Sequence, residues 1–174
     1  DGNMDLVAAT EDGLILLTNN AGDADESTEN FTSSVISGDT GLGTLSSLTV
    51  FDVDNDGDDD FVASGTKGIS TWLNTAGDFV KKNSSILGDI GSKALNFFTT
   101  STGDVDGDGD TDILGTGDID GDGKKEAVLL ENDGKGSFSL KDSIVTTGTS
   151  LVKSVFGDMD GDGILDIFTT SEKP

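Results

Sequence analysis

Short apolar runs recur along the chain, bounded by Gly, Asp, Asn and Thr: Leu6-Val7-Ala8-Ala9, Phe61-Val62-Ala63, Ile113-Leu114, Ala127-Val128-Leu129-Leu130 and Ile167-Phe168. Runs this short, set between turn formers, read as strands. They fall into units. Leu6–Ala9, Leu14–Thr18 and Phe31–Ile36 make the first, and Leu48–Phe51, Asp60–Ser64, Ile69–Leu73 and Phe79–Lys82 the second. The third takes Leu95–Thr99, Thr111–Leu114, Ala127–Glu131 and Phe138–Lys141, and the fourth stops after Ile167–Thr170. The third strand of a unit ends in a recurring turn, Asn19-Asn20-Ala21-Gly22, Asn74-Thr75-Ala76-Gly77 or Asn132-Asp133-Gly134. An aromatic comes after each turn: Phe31, Phe79 or Phe138.

The polar stretches are as regular as the apolar ones. The pattern Asp-x-Asp-x-Asp-Gly-x-x-Asp/Glu runs from Asp52 to Asp60, Asp104 to Asp112, Asp118 to Glu126 and Asp158 to Asp166. At the N-terminus Asp1, Gly2 and Asp5, with Asn3 between them, match its last five positions. Such spacing suits a hard cation: Ca²⁺ takes six to eight oxygens at about 2.3–2.6 Å, and acids at alternate positions of a tight loop supply them. Side chains one, three and five would point inward, the carbonyl at seven would add an oxygen, and the acid at nine would close the cage. Position six is Gly57, Gly109, Gly123 or Gly163, and position four is Asn55, Gly107, Gly121 or Gly161. These residue types tolerate positive φ, which a merely solvated acidic run would not need.

An EF-hand is excluded. It requires a bidentate Glu at position twelve and a helix after the loop. Position twelve here is Ala63, Gly115, Leu129 or Thr169, and each loop leads into a strand-like run.

The central Asp of the motif falls at Asp1, Asp56, Asp108 and Asp162, a period close to 54 residues, with units at about 1–47, 48–93, 94–150 and 151–174. Four strands in roughly 50 residues is the arithmetic of a β-propeller blade. The expected fold is therefore all-β: a β-propeller-like array of four-stranded antiparallel blades with Asp-rich calcium loops, about three and a half blades in all. The Asp118 copy lies off the period, in the hairpin turn where other units carry Glu11-Asp12-Gly13 or Thr66-Lys67-Gly68. One blade would then hold two ions.

Composition changes the picture in three ways. There are 34 acids against 10 bases, a formal charge of −24, and 19 of the acids crowd into the 36 residues of the four complete loops. Metal-free loops should repel themselves open, coupling folding to binding. The charge argues against nucleic acid, whose phosphates demand Lys and Arg. It argues equally against anionic lipid, and no stretch is apolar enough to insert in a membrane. The absence of Cys excludes disulfides and thiolate sites. The absence of His, Cys and Tyr removes the usual general bases and nucleophiles, so the expectation is a non-catalytic protein.

Phe156-Gly157-Asp158-Met159-Asp160-Gly161-Asp162-Gly163-Ile164-Leu165-Asp166-Ile167 resembles the FG-GAP, or VCBS-type, repeat, and Asp104–Leu114 and the Leu130–Phe138 turn match it too. That family comprises calcium-binding propeller blades, including those of integrin α subunits and of many bacterial secreted and surface proteins. The resemblance implies side-chain ligands at positions one, three, five and nine: Asp52, Asp54, Asp56 and Asp60; Asp104, Asp106, Asp108 and Asp112; Asp118, Asp120, Asp122 and Glu126; Asp158, Asp160, Asp162 and Asp166. The carbonyls of Asp58, Asp110, Lys124 and Ile164 would fill position seven. About four Ca²⁺ are implied, with a fifth at Asp1, Asn3 and Asp5 if that loop is complete. The implied role is an extracellular or cell-surface module for adhesion or recognition, with a protein or glycan partner.

Two other readings stay open at this point. Open blade edges would allow self-association into a calcium-stabilised filament or surface layer. The segment would also suit an accessory propeller of a secreted polysaccharide-degrading enzyme. Trp72 aligns with Leu17 and Leu130 and reads as core, not as a sugar platform. Lys81-Lys82 and Lys124-Lys125 read as solvated turn residues, Asp23–Glu29 as an acidic loop, and Asn30 and Asn83 begin N-glycosylation sequons.

Overall fold

A computed structural model describes residues 3–20, 30–82, 96–118, 122–144 and 150–172. Asp1, Asp120, the Asp23–Glu29 loop and Asn83 lie outside the described residues. All regular structure among the described residues is strand, arranged in four antiparallel sheets. The chain forms two compact units, Asp1–Gly41 and Leu42–Pro174.

The first unit is a three-stranded sheet of β1 (Leu6–Thr10), β2 (Gly13–Asn19) and β3 (Phe31–Ser37) in that order. Gly13 closes the β1–β2 turn at φ +121°, where a Cβ would strike the Ser37 carbonyl. The second unit begins with a four-stranded meander of β4 (Leu45–Phe51), β5 (Asp60–Gly65), β6 (Gly68–Thr75) and β7 (Asp78–Lys81). A second meander comes next, β8 (Asn96–Gly103), β9 (Asp112–Asp118), β10 (Glu126–Asn132) and β11 (Phe138–Ile144). Last is the pair β12 (Leu151–Gly157) and β13 (Asp166–Ser171). This is the expected all-β, blade-like architecture, and the Asp52–Asp60, Asp104–Asp112 and Asp158–Asp166 loops each join the first strand of a sheet to the second.

Strand alternation explains the core. Val62, Ile69, Val128 and Leu130 bury one face of each four-stranded sheet against the other, with Val53 and Ile113 beside them and Phe51, Leu73 and Phe138 at the margin. The opposite face of the β8–β11 sheet buries Leu114 and Ala127 against Leu151, Phe156 and Ile167. A sheet covered on both faces needs apolar residues at successive positions, which is why β10 reads as an unbroken apolar run. Trp72 is core, as expected: it is 4 % exposed and stacks on Phe61, with centroids 5.8 Å apart.

Several strands outrun their apolar signature, β9 and β11 among them, and the two that open the four-stranded sheets show why. β4 begins at Leu45 rather than Leu48, and β8 continues past Thr99 to Gly103. Ser46, Ser47, Thr100, Ser101 and Thr102 among the added positions carry hydroxyls, and hydroxyls of neighbouring first strands meet one another. Ser47 Oγ and Thr100 Oγ1 lie 3.1 Å apart, Thr49 also meets Thr100, and Ser101 Oγ accepts from Phe156 N at 3.4 Å. Polar pairing between blades leaves no hydrophobic trace in sequence.

The paired bases are also more engaged than solvated turn residues would be. Lys81 lies on β7, not in a turn, with its Nζ 5.8 Å from the Trp72 ring centroid. Lys82 Nζ donates to the Lys135 carbonyl of the next blade. Lys124 pairs with Asp122 at 3.6 Å and Lys125 with Glu172 at 3.7 Å. A chain with so few cations uses them where acids and carbonyls gather.

Candidate metal centre

Each complete loop is wound around its own acids. The carboxylate at position one accepts from the glycine N–H at position six: Gly57 to Asp52 at 3.0 Å, Gly109 to Asp104 at 3.1 Å, Gly123 to Asp118 at 3.0 Å and Gly163 to Asp158 at 3.0 Å. The carboxylate at five accepts from the N–H at seven, as Asp56 does from Asp58 at 2.9 Å and Asp162 from Ile164 at 2.8 Å. Winding this tight turns the backbone twice through positive φ. Asn55 stands at +59°, Gly107 at +79° and Gly161 at +78°, and the position-six glycines lie between +85° and +95°. The residue types at four and six are thus explained by conformation.

Among the described residues, three loops gather carboxylates in pockets of like charge. Asp52, Asp54 and Asp60, then Asp104, Asp106 and Asp108, then Asp158, Asp160 and Asp166 each present oxygens within 4.8 Å of one another. The tight sets are not identical, taking positions one, three and nine twice and one, three and five once. The remaining expected side-chain ligands of those loops, Asp56, Asp112 and Asp162, lie outside the closest group. In the Asp118 loop, which closes the β9–β10 hairpin as expected, Asp118, Asp122, Lys124 and Glu126 are described and Asp120 is not.

Unit charges about 4 Å apart repel by about 1 kcal/mol in bulk water and about 4 near a protein surface. Such clusters fit a hard cation by donor type and spacing. Asp54 Oδ1 adds a sharper sign, being buried without a hydrogen-bond partner. A buried carboxylate oxygen costs free energy unless something positive meets it, so these residues fit a divalent ion.

Position nine does more than close a cage. Asp60 Oδ2 accepts from Val53 N at 2.9 Å, inside its loop, while Oδ1 accepts from Asn74 N at 2.7 Å, at the turn ending the third strand. Asp112 repeats this with Val105 N and Asn132 N, both at 2.9 Å, and Asp5 receives Asn19 N at 2.8 Å. Asp60 and Asp112 are each 1 % exposed. Burial pushes both carboxyls above the usual carboxylate range, against the pull of the donated N–H groups and with the push of neighbouring Asp charges.

Asn19, Asn74 and Asn132 were visible in the sequence only as turn formers, and this second role was missed. The signal was there: Asn74 lies 14 residues after Asp60, the same interval that separates Asn19 from Asp5. The extra Asp118 loop lengthens the third interval.

Position seven differs as well. The Asp110 side chain accepts from Asn55 Nδ2 of the neighbouring loop at 2.7 Å and crowds Gly134, where a Cβ would come 2.5 Å from Asp110 Oδ2. Among the described N-terminal residues, Asn3 donates to the Asn19 carbonyl at 3.2 Å.

An acidic loop between the first and second strands of a four-stranded meander defines a β-propeller-type repeat. Residues 52–115 match the family model of the FG-GAP-like repeat, in agreement with the resemblance read from the motifs. Among solved structures the chain is similar in fold to an Agrocybe aegerita lectin described as recognising non-reducing terminal N-acetylglucosamine. That match has a TM-score of 0.61 and 21 % identity, and it covers 95 % of this chain but 43 % of the lectin chain. This chain thus spans less than half the length of that neighbour. No curated protein matches it in sequence.

Proposed function

We propose that this chain is a calcium-stabilised, non-catalytic recognition module that works outside the cell, with a glycan as the partner class. The carrying observation is the gathering of carboxylates within 4.8 Å in the three described loops that follow the blade period, one of them with a buried oxygen that has no partner. Asp52, Asp54 and Asp60, Asp104, Asp106 and Asp108, and Asp158, Asp160 and Asp166 would hold the ions. Bound Ca²⁺ would supply positive charge at the mouth of each blade. The chain's own residues do the rest: position-one carboxylates fix the loop backbone, and position-nine carboxylates tie it to the turn after the third strand. The loops are thereby held as a rigid rim.

A glycan partner is supported by the fold likeness to a lectin. The extracellular setting is supported by calcium supply, since extracellular modules commonly bind at about 10⁻⁴–10⁻³ M. The lack of His, Cys and Tyr supports a role without catalysis.

The test is a glycan array probed in millimolar Ca²⁺ and again in excess chelator, beside far-UV circular dichroism of the same samples. Retention on a discrete glycan set, lost on chelation with a weakened β signal, is the expected result. An array blank in both conditions would remove the glycan partner, and an unchanged spectrum in chelator would remove the role of calcium in the fold.

A further inference from the structure

The two complete loops of adjacent four-stranded blades share a hydrogen-bonded frame. Val53, inside the Asp52–Asp60 loop, donates its N–H to Asp60 and offers its carbonyl to Asn132 Nδ2 at 2.8 Å. Asn132 belongs to the next blade, and its own N–H goes to Asp112, the position-nine acid of the Asp104–Asp112 loop, at 2.9 Å. Its Nδ2 also reaches the Thr111 carbonyl at 3.2 Å. Val53, Asn132, Asp60 and Asp112 are all buried, so water does not compete for these bonds. At the surface Asn55 spans the same gap to Asp110.

The equivalent residue one blade earlier lacks this reach. Asn74 Nδ2 donates to Asp59 O at 3.1 Å and its Oδ1 accepts from Gly77 N at 2.8 Å, both within its own blade.

We infer that Asn132 is a positioning residue that makes these two loops a coupled pair, so that Ca²⁺ entering either raises the affinity of the other. This inference rests on the calcium reading above. Its physical basis is shared ordering. A metal that draws in Asp52, Asp54 and Asp60 fixes Val53, and Val53 through Asn132 holds Asp112, which accepts from Val105 N between Asp104 and Asp106 of the second cluster. The second ion then meets a frame already ordered and loses less conformational entropy on binding. The effect must be reciprocal. Asp158–Asp166 lies beyond this frame and serves as the internal control.

The position-six glycines supply one reporter per site, because each amide is bonded to the position-one carboxylate of its own loop. Amide NMR during a Ca²⁺ titration tracks Gly57, Gly109 and Gly163 separately. Asp54→Asn, which weakens the Asp52 loop, should move the Gly109 midpoint to about five-fold higher Ca²⁺ or more, the lower end of ordinary coupling, and leave Gly163 in place. In an Asn132→Ala background, which keeps the backbone N–H to Asp112 but loses the bond to Val53, Asp54→Asn should move Gly109 much less, only the surface link from Asn55 to Asp110 being left.

Lost stability alone would result from either a structural or a coupling role; only coupling changes how Gly109 responds to Asp54→Asn. If Asn132→Ala does not fold, Asn55→Gly removes the surface link at a residue already at positive φ, and should reduce the Gly109 shift. A Gly109 midpoint indifferent to Asp54→Asn in the otherwise native chain overturns the coupling while leaving calcium binding intact. Glycine amides that ignore Ca²⁺ altogether overturn the calcium reading, and this inference with it.

Discussion

Asn132 is a turn residue by sequence and a buried cross-link by structure. Its amide nitrogen faces two carbonyls, those of Val53 and Thr111. Asn132→Asp would turn that donor into an acceptor and leave both carbonyls without a partner, at a cost of about 1–3 kcal/mol. Urea unfolding with Asn74→Asp as comparison checks this, with the smaller loss expected at half-buried Asn74. Gly109 tests a different cost. It sits at φ +95° with open space where a Cβ would go, so Gly109→Ala should lose about 1–2 kcal/mol from backbone conformation alone. Gly134→Ala should lose more, because the added carbon would also displace the Asp110 carboxylate.

At the scale of elements, the blades are held by alternating side chains and their loops by position-nine acids. Ile113 is 1 % exposed and belongs to the cluster joining the two four-stranded sheets, whereas Val50 on β4 is 56 % exposed. Ile113→Ala should cost about 2–5 kcal/mol, and Val50→Ala should stay within about 0.5. Thermal or urea unfolding of the two variants distinguishes a strand buried on both faces from a strand with an open face. Surface pairs contribute far less. Lys141, 2.6 Å from Glu131, lowers that carboxyl below its usual range through their hydrogen bond, but both groups are solvent-accessible.

For the whole molecule the governing quantity is charge. Four Ca²⁺ would reduce a formal −24 to about −16, relieving self-repulsion that otherwise opposes compaction. The pH dependence should therefore differ with and without metal. In chelator, Asp60 and Asp112 bind protons more tightly in the folded chain than in the unfolded one, because burial raises their pKa. Their contribution is fully present below the ordinary Asp value of about 3.9 and is lost as pH rises through the raised values. The metal-free chain should thus gain stability as pH falls from 7 toward about 4. With Ca²⁺ the sign reverses, since each proton displaces metal from a ligand. Melting midpoints at stepped pH should converge on acidification, and parallel curves would contradict the calcium assignment.

The sequence by itself determined the Asp-rich loops and most of the strands, because each rests on local chemistry. Apolar runs mark strands, Asp at alternate positions marks the acidic loops, and Gly or Asn marks the residues that must take positive φ. The Asp118 loop was legible as a hairpin insertion for the same reason. Only the tertiary structure decided what depends on residues far apart in the chain: the hydroxyl pairing of Ser47 and Thr49 with Thr100, the burial of Asp60 and Asp112, and the span from Asn132 to Val53, 79 residues away. A polar residue that bonds a neighbouring blade looks the same in sequence as one that bonds water. Packing two sheets together is what separates them.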